Sequence, residues 1–197
     1  MNREELLKNA KPILFNTEMV QAILGDRKTV TRRVIKPQPI AGIRKSVFVP
    51  SGIEDGHGRE IKLLYKVGDI LYVRETFCEV PYEYEHIPIE GGHITVTKIA
   101  YKADAEVDYT GIWKPSIHMP KEAARIFLKV TDVRVERLQD ITPNDIDREG
   151  TPFGLTIAPY DGFSRLWNEL NTKRGYGWEA NPWVWVIEFE RVEVENE

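Results

Sequence analysis

Residues 126–138, IFLKVTDVRVERL, constrain the fold more than any other stretch. They read as one long strand, yet the apolar parity changes partway. Ile126, Leu128 and Val130 are even-numbered, while Val133 and Val135 are odd. On an unbroken strand the two sets would face opposite sides of the sheet. One extra residue near Thr131-Asp132, a bulge or sharp bend, returns both sets to one face and turns the strand around a corner. Other strands are expected from KPILF (11–15), ILYVRETF (70–77) after the turn signal Gly68-Asp69, and KIAYKAD (98–104). The closing NPWVWVIEFERVEV alternates Trp183, Trp185, Ile187 and Phe189 inward. With three or four short helices, these segments predict an α+β chain built as a small mixed β-barrel with helices at its rims.

The helices have recognisable ends. NTEMVQAILG places Met19, Val20, Ile23 and Leu24 on one face, with Thr17 expected as N-cap and Gly25 as the stop. Pro120 suits the first position of a short turn, PKEAAR. ITPNDIDREG (141–150) has Thr142 as N-cap, Pro143 at N1 and Gly150 as its end. DGFSRLWNELN (161–171) carries Phe163, Leu166, Trp167 and Leu170 at i, i+3, i+4, i+7. Residues 1–10 read as a mobile polar lead-in. Residues 34–66, broken by Pro37, Pro39 and Pro50, read as mainly loop with a hairpin around KSVFVP, and 79–97 as an inserted loop or ribbon. The expected organisation is one domain over 11–197, with insertions at about 37–66 and 78–97.

The formal charge of −4 excludes a polycation, so any nucleic-acid or anion site must be a local patch. One cysteine, Cys78, cannot form an internal disulfide and points to a reducing compartment. No apolar leader and no stretch approaching ~18 apolar residues is present, so a soluble, cytoplasmic chain without a membrane partner is expected. No cofactor or metal signature is found. His57, His86, His93 and His118 are scattered without ligand spacing. GDRKT lacks the first glycine of a phosphate-binding P-loop and follows a helix rather than a strand. Cys78 reads as a packed thiol rather than a nucleophile.

Against that acidic background stands GDRKTVTRR (25–33), which gathers Arg27, Lys28, Arg32 and Arg33 around Thr29 and Thr31. Three readings are open. Basic side chains suit the helix end at Gly25 and can simply face water. They can contact a phosphate backbone. Or Lys28 and Thr31, three residues apart, can face one cleft and do chemistry. Glu75 in VRETF can pair with a cation of this segment, or accept a hydrogen bond from a base amino group.

Four motifs then occur in one order: a helix ending in GDRKTVTRR, GDILYVRETF, a bent strand leading to LQDITPNDIDREG, and a final strand WVIEFERV. This order resembles the ASCH domain family. WKPSIHMP and RGYGWEANPWVWVIEFERV resemble in particular its bacteriophage and prophage members. The resemblance spans roughly residues 11–192. It implies a PUA-like β-barrel and, as function, binding of RNA or of a modified nucleotide or nucleoside in a basic cleft. One branch of the family instead removes the acetyl group from N4-acetylcytidine, and others are proposed ribonucleases. The amidohydrolase branch uses a lysine and a threonine of a glycine-led segment and a glutamate on the short helix after the bent strand. Here these fall on Lys28, Thr31 and Glu149. The chain departs from that branch in its greater length and in an additional arginine, Arg32.

The expected ligand contacts are Arg27, Arg32, Arg33, Glu75, Trp113, Lys114 and His118. Trp113 lies in a Pro-containing loop where its ring can stack on a base, and Lys114 and His118 share that loop. The same loop can equally be a lid or a packed connection. A phage accessory protein that binds a protein partner remains a further alternative, and an apolar patch in 79–97 would favour it.

Overall fold

The computed structural model describes residues 2–83, 95–104, 112–151 and 159–194. It is an α+β structure around a five-stranded mixed sheet. In chain order the elements are α1 (Arg3–Asn9), β1 (Lys11–Leu14), α2 (Thr17–Leu24), β2 (Val30–Val34), β3 (Ile43–Lys45), β4 (Ile53–Asp55) and β5 (Ile70–Arg74). There follow β6 (Phe77–Glu83), β7 (Thr95–Tyr101), β8 (Phe127–Arg137), α3 (Pro143–Arg148), α4 (Pro159–Asn171) and β9 (Trp183–Val192). The main sheet runs β1-β5-β8-β9-β2, with β1 parallel to β5 and the other pairs antiparallel.

The corner lies where the parity change put it. The β8–β9 register shifts between Val130 and Asp132. Leu128 and Val130 before the shift, and Val133 and Val135 after it, all pack into one core with Trp185, Ile187 and Phe189. α2 covers that core through Val20 and Ile23. The outer face is divided. At one end α1 and Met119 cover Tyr72, Phe77 and Phe127. At the other, α3 and α4 cover Val30, Val184 and Val186 through Ile146, Phe163 and Trp167.

Four expectations need correction. The sheet curls but does not close among the described residues, since β1 and β2 are its edges. Where a closing ladder would run, the Leu14 carbonyl instead accepts from the Arg33 guanidinium at 2.7 Å. Residues 3–9 are not a mobile lead-in: they form α1, capped by Asn2 and anchored by Leu6, which is 1% exposed. Asn16, not Thr17, caps α2, accepting from the Met19 amide at 2.9 Å. Trp183 is only half-buried, with the Arg137 guanidinium 4.3 Å from its ring centroid. The hairpin around KSVFVP is present as β3–β4, and 79–97 belongs to a ribbon, β6–β7. Residues 84–94 of that insertion, with His86 and His93, lie outside the described residues.

Candidate functional site

β2 carries the basic nonapeptide into the sheet, and this buries most of it. Lys28, Thr31 and Arg32 are 2%, 2% and 4% exposed. α3 supplies the matching negative charge. Thr142 caps it by accepting from the Asp145 amide, Pro143 occupies its first turn, and Ile146 is buried beneath it. The chain then turns at Gly150, whose φ is +67°. A Cβ there would lie 2.8 Å from the Ala22 Cβ and 2.9 Å from the Lys28 Cβ, so only glycine lets the end of α3 press against α2 and Lys28. That approach sets Glu149 beside Lys28.

The Lys28 ammonium uses its three N–H donors on the Val30 carbonyl (2.9 Å), the Glu149 carbonyl (2.8 Å) and Glu149 Oε2 (2.7 Å). Arg32 donates to Asp145 Oδ2 at 2.8 Å, to Glu149 Oε1 at 3.3 Å and to Glu136 Oε2 at 3.3 Å. Its Nε is buried and has no hydrogen-bond partner among the described residues. Burial pushes the Lys28 ammonium below the usual lysine range. Glu149 pulls the other way, and Arg33 and Arg32 add to the lowering.

Thr31, Arg32 and Glu149 open onto a cleft of about 610 Å³ that lies between the two edges of the sheet. Leu14 comes from β1 and Phe15 and Asn16 from the turn that follows it. Arg33 and Lys36 continue the β2 side, and Pro115 and Ser116 come from the loop before β8. The opposite wall is the apolar face of α4, including Phe163, Leu166 and Leu170, with Arg174 just beyond its end. The periodic stripe on α4 is thus not all core: Leu170 is 43% exposed along the cleft.

Lys28, Thr31 and Glu149 therefore come together, although Lys28 lies behind the other two rather than on the cleft wall. The remaining expected contacts divide. Arg32 and Arg33 line the cleft. Arg27 is exposed outside it, the one member of the nonapeptide's four cations for which the solvated helix-end reading holds. Glu75 is fully buried and pairs with no cation of 27–33. It takes a two-pronged contact from Arg125 at 2.9 and 3.0 Å. Burial pushes its carboxyl up, and the Arg125 fork offsets this only in part. Trp113, Lys114 and His118 do not line the cleft. Trp113 is half-buried, His118 is exposed, and Lys114 pairs with Glu79 at 2.9 Å. Cys78 is a buried free thiol.

Sequence reasoning missed Asp145, Lys36 and Arg174. Asp145 and Glu149 are four apart, which puts both carboxylates on one face of a helix, and that was the available signal. Among the described residues, no group of three or more His, Cys, Asp or Glu side chains is placed to hold a metal ion, and no helix is long and apolar enough to cross a membrane.

A second ion cluster braces the site from behind. Arg148 donates to Glu188 Oε2 at 2.6 Å and to the Thr29 hydroxyl at 3.2 Å. The Arg148 hydrogen bond, followed by that of Arg134, holds the Glu188 carboxyl below the usual carboxylate range. A depressed folded pKa gives stability that is present above the unfolded pKa and is lost as pH falls through the folded one. Glu188→Gln is therefore expected to lower the urea midpoint at neutral pH, and the gap to wild type should close in acid. A gap that persists unchanged to the lowest pH at which both proteins fold would refute this.

No family model matches the chain, and no curated protein matches it. Among solved structures, it is similar to protein EF3133 from Enterococcus faecalis V583, of family DUF984. The identity is 10% and the TM-score 0.47, over 95% of this chain and 83% of that one.

Proposed function

We propose that this chain is a PUA-like ASCH protein that binds RNA, or a modified nucleoside or nucleotide, in the cleft between β1 and β2. The observation that carries this reading is the contrast between the cleft's two walls. α4 offers an apolar face through Phe163, Leu166 and Leu170, while β2 and its continuation offer Arg33 and Lys36. The Glu149 carboxylate opens between them. A base has a flat apolar face, an edge that can donate to a carboxylate, and a phosphate attached through the sugar. The volume falls within the ~300–1,000 Å³ of small-ligand pockets, which favours one nucleotide unit over a long strand.

Titration of tryptophan fluorescence with short single-stranded RNA and with mononucleotides tests this. The logarithm of the affinity should fall linearly with the logarithm of salt concentration, as expected when cations meet phosphates. Weak binding that is indifferent to salt would refute the proposal.

One observation favours a second reading, hydrolysis of an N-acylated pyrimidine nucleoside such as N4-acetylcytidine. It is the 2.7 Å contact of Lys28 with Glu149, with Thr31 opening onto the same cleft as Glu149. In such a buried pair a proton can pass from ammonium to carboxylate, giving a neutral amine and a carboxylic acid with no net change in protonation. The amine then takes up the Glu149 proton as that carboxyl, which faces the cleft, accepts one from a water positioned by Thr31 and the hydroxide adds to the acyl carbon. The C–N bond breaks, Glu149 protonates the departing amine, and the pair returns to its ionic form. Thr31→Val keeps the side-chain shape and leaves the ion pair intact. It should slow release of cytidine from N4-acetylcytidine by about 10²- to 10⁴-fold. Absence of turnover by wild type, or undiminished turnover by the variant, would remove this reading.

A further inference from the structure

Resting on the nucleotide reading of the cleft, we infer that Arg33, Lys36 and Arg174 form an anion subsite on its rim. That subsite takes the ligand's phosphate, so the preferred ligand is a phosphorylated nucleotide rather than the free nucleoside.

Four cations and one carboxylate line the cleft. The carboxylate, Glu149, is held by Lys28 and Arg32, and Arg32 is itself taken up by Asp145 and Glu136. The inner charges therefore answer one another. The three outer cations are different: among the described residues, none of them has a carboxylate within ion-pair distance. What holds two of them in place does not neutralise them. Arg33 donates one N–H to the Leu14 carbonyl, and its guanidinium lies 5.2 Å from the Phe15 ring centroid. Lys36 sits 5.3 Å from the Tyr176 ring centroid. Carbonyls and aromatic faces fix a cation while leaving its full charge available.

Arg174 reaches the same rim from the opposite wall. It ends a short turn closed by Gly175 at φ +80°, and Tyr176 follows directly. The Tyr176 carbonyl accepts from Trp167 Nε1 at 2.7 Å, which ties this turn to α4. Because Lys36 rests on Tyr176, the Lys36 and Arg174 backbones belong to one braced end of the cleft. Arg33 is half-buried, so its charge is screened less than a surface charge would be. A guanidinium fork with free donors, together with lysine point charges, suits a dianionic group with three oxygens.

In an acidic chain, leaving these three charges unanswered around one opening is the arrangement an incoming anion completes. A neutral nucleoside would use the apolar wall and Glu149 but leave the rim unsatisfied.

Calorimetric titration with cytidine and cytidine 5′-monophosphate tests the inference, in wild type and in the Lys36→Ala/Arg174→Ala double variant. Both replaced side chains are exposed, so the variant should fold. The monophosphate should bind wild type about tenfold or more tighter than cytidine at low salt. That advantage should shrink with added salt and fall several-fold in the double variant, where Arg33 alone of the three remains. Equal affinity for the two ligands in wild type would overturn the subsite while leaving the nucleotide reading standing. So would a phosphate advantage that is undiminished in the double variant. If neither ligand binds but inorganic pyrophosphate binds wild type and binds the double variant several-fold more weakly, the subsite stands and the nucleotide reading fails. If pyrophosphate also fails to bind, both are overturned.

Discussion

Glu149→Ala is expected to lower the unfolding free energy by about 3–5 kcal/mol, the cost of removing one member of a buried ion pair. The size follows from what is left behind. The Lys28 side chain is 0% exposed and that of Arg32 is 1% exposed, so neither charge can turn to water. Arg32 keeps Asp145 and Glu136, whereas Lys28 keeps only two carbonyls. The variant's main remedy is to shed the Lys28 proton. Burial already lowers the Lys28 pKa in wild type, and Glu149 is the largest influence opposing that. Without it the folded pKa drops further below the unfolded one. The unfolded state then binds more protons, and stability rises with pH. The deficit should therefore narrow as pH rises toward the ordinary lysine range. Urea midpoints of both proteins over that rise measure it. A deficit under about 1 kcal/mol, the scale of a surface pair, would show that the pair is not buried in solution.

That ion pair also marks where the sequence stopped being informative. The corner in β8 was legible because a parity change is a local signal, and the observed register shift between Val130 and Asp132 is its direct expression. α3 was legible because its cap, its proline and its terminal glycine lie within nine residues of one another. The fate of Lys28 and Arg32 was not. A run of basic residues looks the same on a solvated helix end as in a buried strand. What decides between them is Asp145 and Glu149, more than a hundred residues away, and the Gly150 contact that brings α3 against α2. α1 escaped for another reason: a seven-residue helix held by one buried leucine has no periodicity to read. Barrel closure failed for a third. Curling follows from the bulge, but whether β1 and β2 meet depends on side chains such as Arg33 and Phe15 standing between the edges.

Glu75→Ala is the second large effect, and it separates architecture from recognition. Glu75 is 0% exposed and meets the Arg125 fork at 2.9 and 3.0 Å. Arg125 in turn lies 3.9 Å from the Tyr101 ring centroid and pairs with Asp104 at 2.8 Å. Removing Glu75 breaks a buried pair, which points to a loss near the lower end of about 3–5 kcal/mol. The loss should be smaller than for Glu149→Ala because the abandoned partner is better placed. The Arg125 side chain is 29% exposed and retains Asp104, so it can rehydrate in part, as Lys28 cannot. Ligand affinity at temperatures where the variant remains folded should match wild type, because Thr76 lines the cleft and Glu75 does not. Chemical denaturation and nucleotide titration on the same preparation decide the matter. A variant of nearly wild-type stability that no longer binds would make Glu75 a reader of the base edge after all. A large stability loss with unchanged affinity would fix it as the brace that holds β5 against the Arg125 side of the sheet.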